Sequence, residues 1–413
     1  MDVLSKSRGE AFEAAIRERG LAIFSALENE GASIFNKDWW YGRIMDWSMK
    51  NEHFKTQMFR FVDVLPYLNS SGEVAKHLKE YFLESGDQLP SVFNFGVGMG
   101  SLAPGLMAGA VKKNIQQMAR MFITGQDPQE ALPVLKKSRK VPMGFTVDLL
   151  GEATLSEIEA KDYFDRYETL IKDLAKDATT WEEIPQIDRD ENGPIPKVNI
   201  SVKLTSLYSQ IRETAWEASK EKLKERVRPL LRTAVASNVF INIDMEQYEH
   251  KDLTLEVFKE ILIEEEFKSY PFFGIVIQAY LRDSLQDCKN LVTFAKSRGV
   301  PFTIRLVKGA YWDFEVIHAQ QLGWPIPVFT QKRESDLNYE LCAEELISAY
   351  PQLHLAIGSH NIRSIAACLI LAEQKGLPKE AIEIQMLFGM AEPIKRSLVK
   401  MGYRMREYAT VGE

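Results

Sequence analysis

The sequence contains few cysteines and no excess of basic residues. Its three cysteines, Cys288, Cys342 and Cys368, are widely spaced and form no C-x-x-C pair. This spacing excludes a disulfide framework and a cysteine-rich zinc or iron–sulfur site, and it indicates a reducing compartment. Lys and Arg total 51 against 58 Asp and Glu, a net charge of -7. Because nucleic-acid-binding proteins are usually basic, we expect no nucleic-acid partner.

The start of the sequence lacks a secretion signal. Met1 leads into a run of mixed charge that reaches Arg19, where a signal peptide would have a basic segment and a short apolar core. One uncharged stretch, residues 88–111, is long enough to span a bilayer, but it is rich in Gly and has few Leu or Ile. A helix of small residues packed against its neighbours fits that composition better than a transmembrane helix. We therefore expect a cytoplasmic protein.

The apolar pattern changes near residue 140. Up to Lys140 apolar residues recur at helical spacing, as at Phe12, Ala15 and Ile16, and a basic run over 136–140 closes this region. The sequence therefore predicts a helical arm over 1–60 and a helical domain over 61–140. Hydrophobic residues make up 45% of the chain, which is enough for a large core in the remaining residues, 141–413.

Eight short β-rich runs separated by helical patterns follow Val141. They cover residues 143–149, 198–204, 240–245, 273–279, 302–308, 327–330, 354–359 and 383–387. Eight strands that alternate with helices predict an α/β fold, a (β/α)8 barrel. A doubly wound open sheet is the alternative, but it more often has five to seven strands and a glycine turn after the first. After the eighth run the chain has only a short helical piece over 393–401, so we expect the last barrel helix to be missing.

Polar residues stand at the ends of most of these runs. Catalysis in such barrels occurs at the carboxyl ends of the strands, so these residues are the candidates for a site. They are Asp148, Glu152, Lys203, Asp244, Glu246, Gln278, Arg305, Lys308, Thr330, Ser359, His360, Asn361 and Gln385. Together they predict a cationic rim with few acids, which suits a ligand that carries or develops negative charge. Taken singly, these residues also have purely structural explanations. Asp244 could serve merely to hold Lys203, and His360 merely to cap a helix that starts near Ile362.

Other kinds of chemistry have weaker support in the sequence. His318, His354 and His360 lie apart and do not predict a metal site, and no nucleophile elbow accompanies a Ser-His-Asp set. A lysine that forms a Schiff base, Lys203 or Lys308, would suit an aldolase or lyase and stays open as an alternative. A scaffold without catalytic activity is a third hypothesis.

The run from Ile304 to Asp313, IRLVKGAYWD, resembles the proline dehydrogenase part of the bifunctional proline utilisation A flavoenzymes. Six further stretches resemble that family in the same order along the chain. They are residues 149–153, 201–204, 243–246, 278–280, 359–361 and 385–390. The resemblance covers essentially the whole chain, including the helical arm.

This resemblance implies a barrel that carries FAD across its carboxyl strand ends. The family oxidises L-proline to Δ1-pyrroline-5-carboxylate and passes the electrons to a membrane quinone, which also implies contact with the inner membrane surface. The position matching Arg305 lies near flavin N5. Cofactor positions match Gln278, Val307, Lys308, Gly309, Ala310, Trp312, Thr330, Lys332, His360, Asn361 and Gln385. Substrate positions match Lys203, Asp244, Tyr311 and Tyr408, and Leu306 matches an apolar wall. Arg305 and Lys308 would supply fixed positive charge that stabilises the reduced flavin, and Lys203 would attract the substrate carboxylate.

The sequence departs from the family at its end. An Arg-Arg pair on the last barrel helix, which would begin beyond Gly412, binds the substrate carboxylate in the family. Glu152 resembles the acid that pairs with those arginines. We therefore expect this chain to hold flavin weakly and to turn over proline poorly unless that segment is supplied.

Overall fold

The computed structural model describes residues 9–28, 56–57, 60–61, 63–68, 70–82, 122–151 and 153–412. The chain divides into two compact units, one formed by residues 1–30 and 122–413 and the other by residues 31–121. This division differs from the domain boundaries that the sequence predicts at residues 60 and 140. Those boundaries stay a prediction. The uncharged stretch over 88–111 and Glu152 lie outside the described residues.

The described part of the smaller unit includes the helix Ser71–Phe82, which follows a 3-10 turn over Leu65–Tyr67, and further helical residues at 56–57, 60–61 and 63–64. The helix begins with a capping box. The Ser70 hydroxyl accepts from the Glu73 N–H at 3.2 Å, and the Glu73 carboxylate accepts from the Ser70 N–H at 3.1 Å. Phe61 and Val74 form its buried apolar cluster.

The larger unit is built around a closed barrel of eight parallel strands. In chain order they are β1 Met143–Leu149, β2 Asn199–Val202, β3 Phe240–Ile243, β4 Phe273–Gln278, β5 Phe302–Val307, β6 Leu353–Gly358, β7 Ile382–Leu387 and β8 Arg404–Val411. Each strand pairs with the next, and β8 pairs with β1 from Met405 against Met143 to Val411 against Leu149. That last pairing closes the barrel, so the predicted fold class is confirmed, while the missing last helix stays a prediction.

Helices surround the strands of the larger unit. They are Gly9–Glu28, Pro128–Arg139, Glu157–Ala178, Pro185–Asp188, Trp216–Ala236, Tyr248–Leu262, Ser284–Arg298, Trp312–Leu322, Lys332–Ile347, Ile362–Gln374 and Glu392–Lys400. Side chains alternate along each strand, so that Phe302, Ile304 and Leu306 of β5 join the apolar core under the helices. Arg305, between them, therefore points into the barrel.

Two predictions about the strands are wrong. The run over 327–330 is not a barrel strand, because Val328 forms only an isolated antiparallel bridge with Leu281. The run predicted as the eighth strand is β7, and the true eighth strand, Arg404–Val411, follows one helix later. Charged residues occupy inward positions of β8, so its sequence lacks the apolar pattern that predicts a strand. In addition, a short strand over Ile123–Gly125 pairs with the end of β8, within the region predicted to be helical throughout.

A buried ion pair joins the helix before the barrel to the connection between β1 and β2. The Arg139 guanidinium donates to both carboxylate oxygens of Asp188, at 2.9 and 2.6 Å, and the two side chains are only 5% and 2% exposed. Paired charges at this depth are tolerated because each satisfies the other. Removing one partner leaves the other charge buried and uncompensated.

We expect Asp188→Ala to lower the free energy of unfolding by about 3–5 kcal/mol. The matched control is Glu183→Ala, which breaks the nearby Arg189–Glu183 pair, because both of those side chains are 46% exposed. An exposed pair contributes about 1 kcal/mol or less. Urea denaturation of both variants checks the difference. Equal losses in the two variants would contradict the burial of Arg139 and Asp188.

Candidate active site at the carboxyl ends of the barrel strands

Polar side chains occupy the middle of the barrel, where branched apolar residues are usual. They come from six different strands and meet through hydrogen bonds. They are Thr146, Ser201, Asn242, Arg305, Gln385 and Arg406. Burying so many polar groups is unfavourable unless each finds a partner or a ligand, so this interior indicates a functional site.

Arg305 lies at the centre of this polar interior. Its guanidinium donates to Asp244 Oδ1 at 2.7 Å, to Gln385 Oε1 at 2.6 Å and to Ser201 Oγ at 3.0 Å. It is 4% exposed, and its Cζ lies 5.1 Å from the centre of the Tyr408 ring. The structure thus brings together Arg305, Asp244, Gln385 and Tyr408, four residues that the sequence assigns to the site.

Asp244 has partners different from the one expected. Tyr408 Oη donates to its Oδ2 at 2.8 Å, and Asn242 Nδ2 donates to its Oδ1 at 3.0 Å. The hypothesis that Asp244 holds Lys203 is wrong, since its ion pair is with Arg305. Burial and the nearby carboxylates hold the pKa of Tyr408 well above its ordinary value, so this phenol keeps its proton.

Lys203 forms an ion pair with Asp148, with 2.5 Å between Nζ and Oδ1. Burial, with the nearby Asp244 charge, raises the pKa of Asp148 to about 6, although Lys203 acts in the opposite direction. Burial lowers the pKa of Lys203, but the charges of Asp148 and Asp244 outweigh it, and the net shift is upward. The amine is therefore cationic at neutral pH.

Gln278 presents an unpaired oxygen at the end of β4. Its Nε2 donates to the Glu246 carbonyl at 2.7 Å, whereas its buried Oε1 has no hydrogen-bond partner among the described residues. Glu246 itself is occupied by the hydroxyl and the N–H of Thr205. A buried acceptor without a partner is unfavourable, so the Gln278 oxygen is suited to an N–H group of a ligand.

The segment that follows β5 approaches the end of β4 closely. Gly309 has φ +136°, and a Cβ there would lie 2.5 Å from the Tyr280 ring, so only glycine fits. Val307 faces the same side of β5 as Arg305, Ala310 is exposed, and Tyr311 precedes the helix that begins at Trp312. The Tyr280 ring occupies the space that a side chain at position 309 would fill, and this packing holds the backbone of the segment against the end of β4.

The remaining predicted cofactor residues lie around the rim. Lys308 and Lys332 both pair with Asp336, Trp312 Nε1 donates to the Phe329 carbonyl at 2.9 Å, and Thr330 is exposed. Acids partner Lys203, Arg305, Lys308 and Lys332, so the expectation of a cationic rim with few acids is wrong.

His360 and Asn361 each accept a hydrogen bond from a backbone N–H. Asn361 Oδ1 accepts from the Ser364 N–H at 3.2 Å and caps the helix Ile362–Gln374. His360 Nε2 instead accepts from the Leu387 N–H at 3.1 Å, so the hypothesis that His360 caps this helix is wrong. Burial and the Lys395 charge lower the pKa of His360, which keeps its ring neutral for that role.

Leu306 does not reach this group of residues. It is fully buried on the outer face of β5, opposite to Arg305, and its carbonyl accepts from Tyr339 Oη at 3.0 Å. Successive residues of a strand face opposite sides, so a neighbour of Arg305 in sequence cannot line the barrel interior with it. The structure therefore excludes Leu306 as an apolar wall of the site.

Sequence reasoning missed Glu383 and Arg406, which support Arg305 through Gln385. Gln385 Nε2 donates to Glu383 Oε1 at 2.6 Å, and the Arg406 guanidinium holds both Glu383 oxygens at 2.7 and 2.9 Å. Burial would raise the pKa of Glu383, but Arg406 outweighs it and the pKa lies below the ordinary value. The alternation of Arg404, Arg406 and Tyr408 could have revealed this face of β8.

Comparison with known families agrees with this arrangement. The model of the family described as proline dehydrogenase matches residues 131–413, and that of the proline utilization A N-terminal domain matches residues 13–122. The chain belongs to the proline dehydrogenase family. Members of this family are flavoenzymes, so a flavin site is expected in the barrel of this chain.

Individual relatives cover different shares of the chain. The bifunctional protein PutA of Klebsiella aerogenes is 31% identical over 314 residues, 74% of this chain and 23% of that protein. Proline dehydrogenase 1 of Bacillus subtilis subsp. natto is 29% identical over 71% of this chain and 82% of that protein. A crystal structure of PutA from Bdellovibrio bacteriovorus, inactivated by N-propargylglycine, is 59% identical with a TM-score of 0.89, over 98% of this chain and 40% of that one. The chain thus spans less than a quarter of its curated PutA relatives.

Two other kinds of feature are absent from the described residues. None of the described helices is both long and apolar enough to cross a bilayer. Within the same part of the chain, no group of three or more His, Cys, Asp or Glu side chains is arranged to hold a metal ion.

Proposed function

We propose that this chain oxidises L-proline to Δ1-pyrroline-5-carboxylate with bound FAD and passes the electrons to a membrane quinone. The observation that carries the proposal is the position of Arg305, a buried cation held by Asp244 and Gln385 among the carboxyl strand ends of a proline dehydrogenase family barrel. We also propose a cytoplasmic location with contact at the inner membrane surface, where a quinone is available. Quinone reduction by the isolated protein, with and without anionic vesicles, tests this part.

The residues at the strand ends fit a flavin. The Gln278 oxygen, which has no hydrogen-bond partner among the described residues, can accept from a ring N–H, and we propose that Gly309 also contacts the flavin. We propose that Val307, Lys308, Ala310 and Trp312 line the same side. Thr330, Lys332, His360, Asn361 and Gln385 complete the proposed set. FAD, when bound, supplies the electron-accepting ring, and the protein orients and tunes it.

Fixed charges of this chain would bind the substrate and favour its unprotonated amine. The Lys203 amine, cationic beside Asp148, can attract the proline carboxylate. The same charge disfavours a protonated proline nitrogen, whose lone pair must be available for oxidation at the adjacent carbon. Tyr311 and Tyr408 would cover the substrate and exclude water, which strengthens these electrostatic interactions.

The Schiff-base alternative is less well supported. A lysine nucleophile must be neutral, yet the pKa of Lys203 is raised by its acidic neighbours, and Lys308 is paired with Asp336. Two assays separate these functions. A flavin protein is yellow and releases its chromophore on denaturation, whereas borohydride with a carbonyl substrate would trap a lyase on lysine. If neither assay responds, a binding scaffold is the remaining function.

We expect Lys203→Met, made together with Asp148→Asn, to raise the KM for L-proline by about tenfold or more with a smaller change in kcat. The double replacement removes both charges, so no buried ion is left without a partner. The control is Lys172→Met, which removes an exposed lysine paired with Glu168. Steady-state kinetics with a soluble quinone measures both parameters. An unchanged KM in the double variant would remove Lys203 from the substrate site.

A further inference from the structure

A cavity opens at the amino-terminal end of the barrel strands, whereas the proposed flavin site lies at their carboxyl ends. Its volume is about 510 Å³, within the range of about 300–1,000 Å³ typical of small-molecule sites. Five of the lining residues, Asn199, Phe240, Thr303, His354 and Arg404, stand at the first or second position of their strands. Asn242, Gln385 and Arg406, which lie further along their strands, also line it, whereas Gln278 and Lys203 do not.

Arg404 brings an uncompensated charge to this cavity. It is 7% exposed, and among the described residues it forms no ion pair. One of its guanidinium nitrogens donates to the Arg189 carbonyl, while its Nε is buried without a partner. Burial lowers the pKa of Arg404, which reflects the cost of keeping a cation there. By contrast, its neighbour Arg406 is fully engaged by Glu383.

The acids near Arg404 leave its charge available to a ligand. Glu383 is held by Arg406 and Gln385. Asp190 and Glu191 also favour the charged form of Arg404, but neither lies within ion-pair distance of it. Asp190 is half-buried, and it accepts from the Asn192 N–H at 2.8 Å.

His354 adds a second unfilled polar group. Its buried Nε2 has no hydrogen-bond partner in the described part of the chain. Burial lowers the pKa of His354 despite the charges of Asp190, Glu191 and Glu383, so the ring is neutral at neutral pH. In the tautomer protonated at Nε2, this nitrogen can donate to an oxygen. The cavity thus offers two donors, one of them charged, between an apolar part of the wall that includes Phe272, Pro301 and Leu355 and a polar part that includes Asp190 and Glu383.

We propose that this cavity binds a small organic carboxylate. The carboxylate oxygens accept from Arg404 and His354, and the apolar body of the ligand packs against the phenylalanine and proline side chains of the wall. A hydrogen bond between a guanidinium and a carboxylate is about twice as strong as one between neutral groups. Affinity is therefore expected to depend on the negative charge of the ligand as well as on its apolar surface.

Calorimetric titration with 4-phenylbutanoate, its neutral amide and 4-phenylbutylamine tests the proposal. We expect the carboxylate to bind at one site per chain and the amide to bind at least tenfold more weakly. Equal affinities of carboxylate and amide would overturn the proposal, as would the absence of binding at millimolar concentration. Tighter binding of the amine would overturn it too, because that result would indicate a cation site near Asp190.

Two variants locate the binding site. Arg404→Gln removes the charge. Thr303→Phe fills the cavity while Arg404 stays in place, so it tests the proposal even when Arg404→Gln does not fold. Each is expected to weaken 4-phenylbutanoate binding at least tenfold. Lys203→Met with Asp148→Asn, at the other end of the barrel, is expected to leave the affinity unchanged. Loss of binding only in that double variant would place the ligand in the proline site and overturn the proposal.

Discussion

Replacing Arg305 with Met is expected to slow flavin reduction by L-proline by about 100-fold or more. The estimate follows from sites where one donor to a developing charge is removed. Arg305 carries its charge on a guanidinium fixed by Asp244, Gln385 and Ser201, so it needs no rearrangement during the reaction. Proline affinity is expected to fall much less than the rate. Stopped-flow mixing without oxygen measures both, and an unchanged rate would defeat the placement of Arg305 next to the flavin.

Loss of folding must be separated from loss of chemistry in this variant. Arg305→Met leaves Asp244 buried without its partner, which is expected to cost about 3–5 kcal/mol of stability. The double variant Arg305→Met with Asp244→Asn removes both charges and is expected to recover most of that stability. It is not expected to recover the rate. If the double variant regains both, Arg305 acts only through Asp244, as a structural support.

Replacing Lys395 with Met is expected to destabilise the barrel by about 3–5 kcal/mol. Lys395 is fully buried on the helix Glu392–Lys400, where its amine pairs with Glu407 on the outer face of β8. Without the amine, Glu407 is a buried carboxylate at the strand that closes the barrel. Urea denaturation measures the change in the free energy of unfolding.

Two further variants complete that experiment. Lys395→Met with Glu407→Leu removes both charges and is expected to restore most of the stability, because apolar replacements of a buried pair are often neutral. Lys161→Met is the exposed control, since Lys161 and its partner Asp165 are both largely solvent accessible. If Lys395→Met costs no more than Lys161→Met, residues 404–411 do not pack as the eighth strand.

The periodicity of the sequence was sufficient for seven of the eight strands. Strand β5 shows why, since Phe302, Ile304 and Leu306 alternate with inward-facing residues and their burial requires that pattern. Strand β8 was not predicted because Arg404 and Arg406 face inward, at positions where apolar residues are usual. The run over 327–330 has strand-like composition, but it lies between two helices of a single connection, where only Val328 finds a bridging partner.

The residues of the candidate site were easier to predict than their partners. Strand ends and alternation located Lys203, Asp244 and Arg305, because carboxyl ends of parallel strands meet at one edge. Which acid pairs with which base depends on the tilt and closure of the barrel. The sequence alone therefore gave no means to choose Asp148 as the partner of Lys203.

The visible spectrum of the protein mixed with excess FAD, recorded without oxygen before and after addition of L-proline, tests the account most directly. We predict that FAD binds to the protein and that L-proline bleaches the flavin band near ~450 nm. The account is contradicted if FAD stays free in solution, or if the bound flavin keeps its full absorbance in the presence of L-proline.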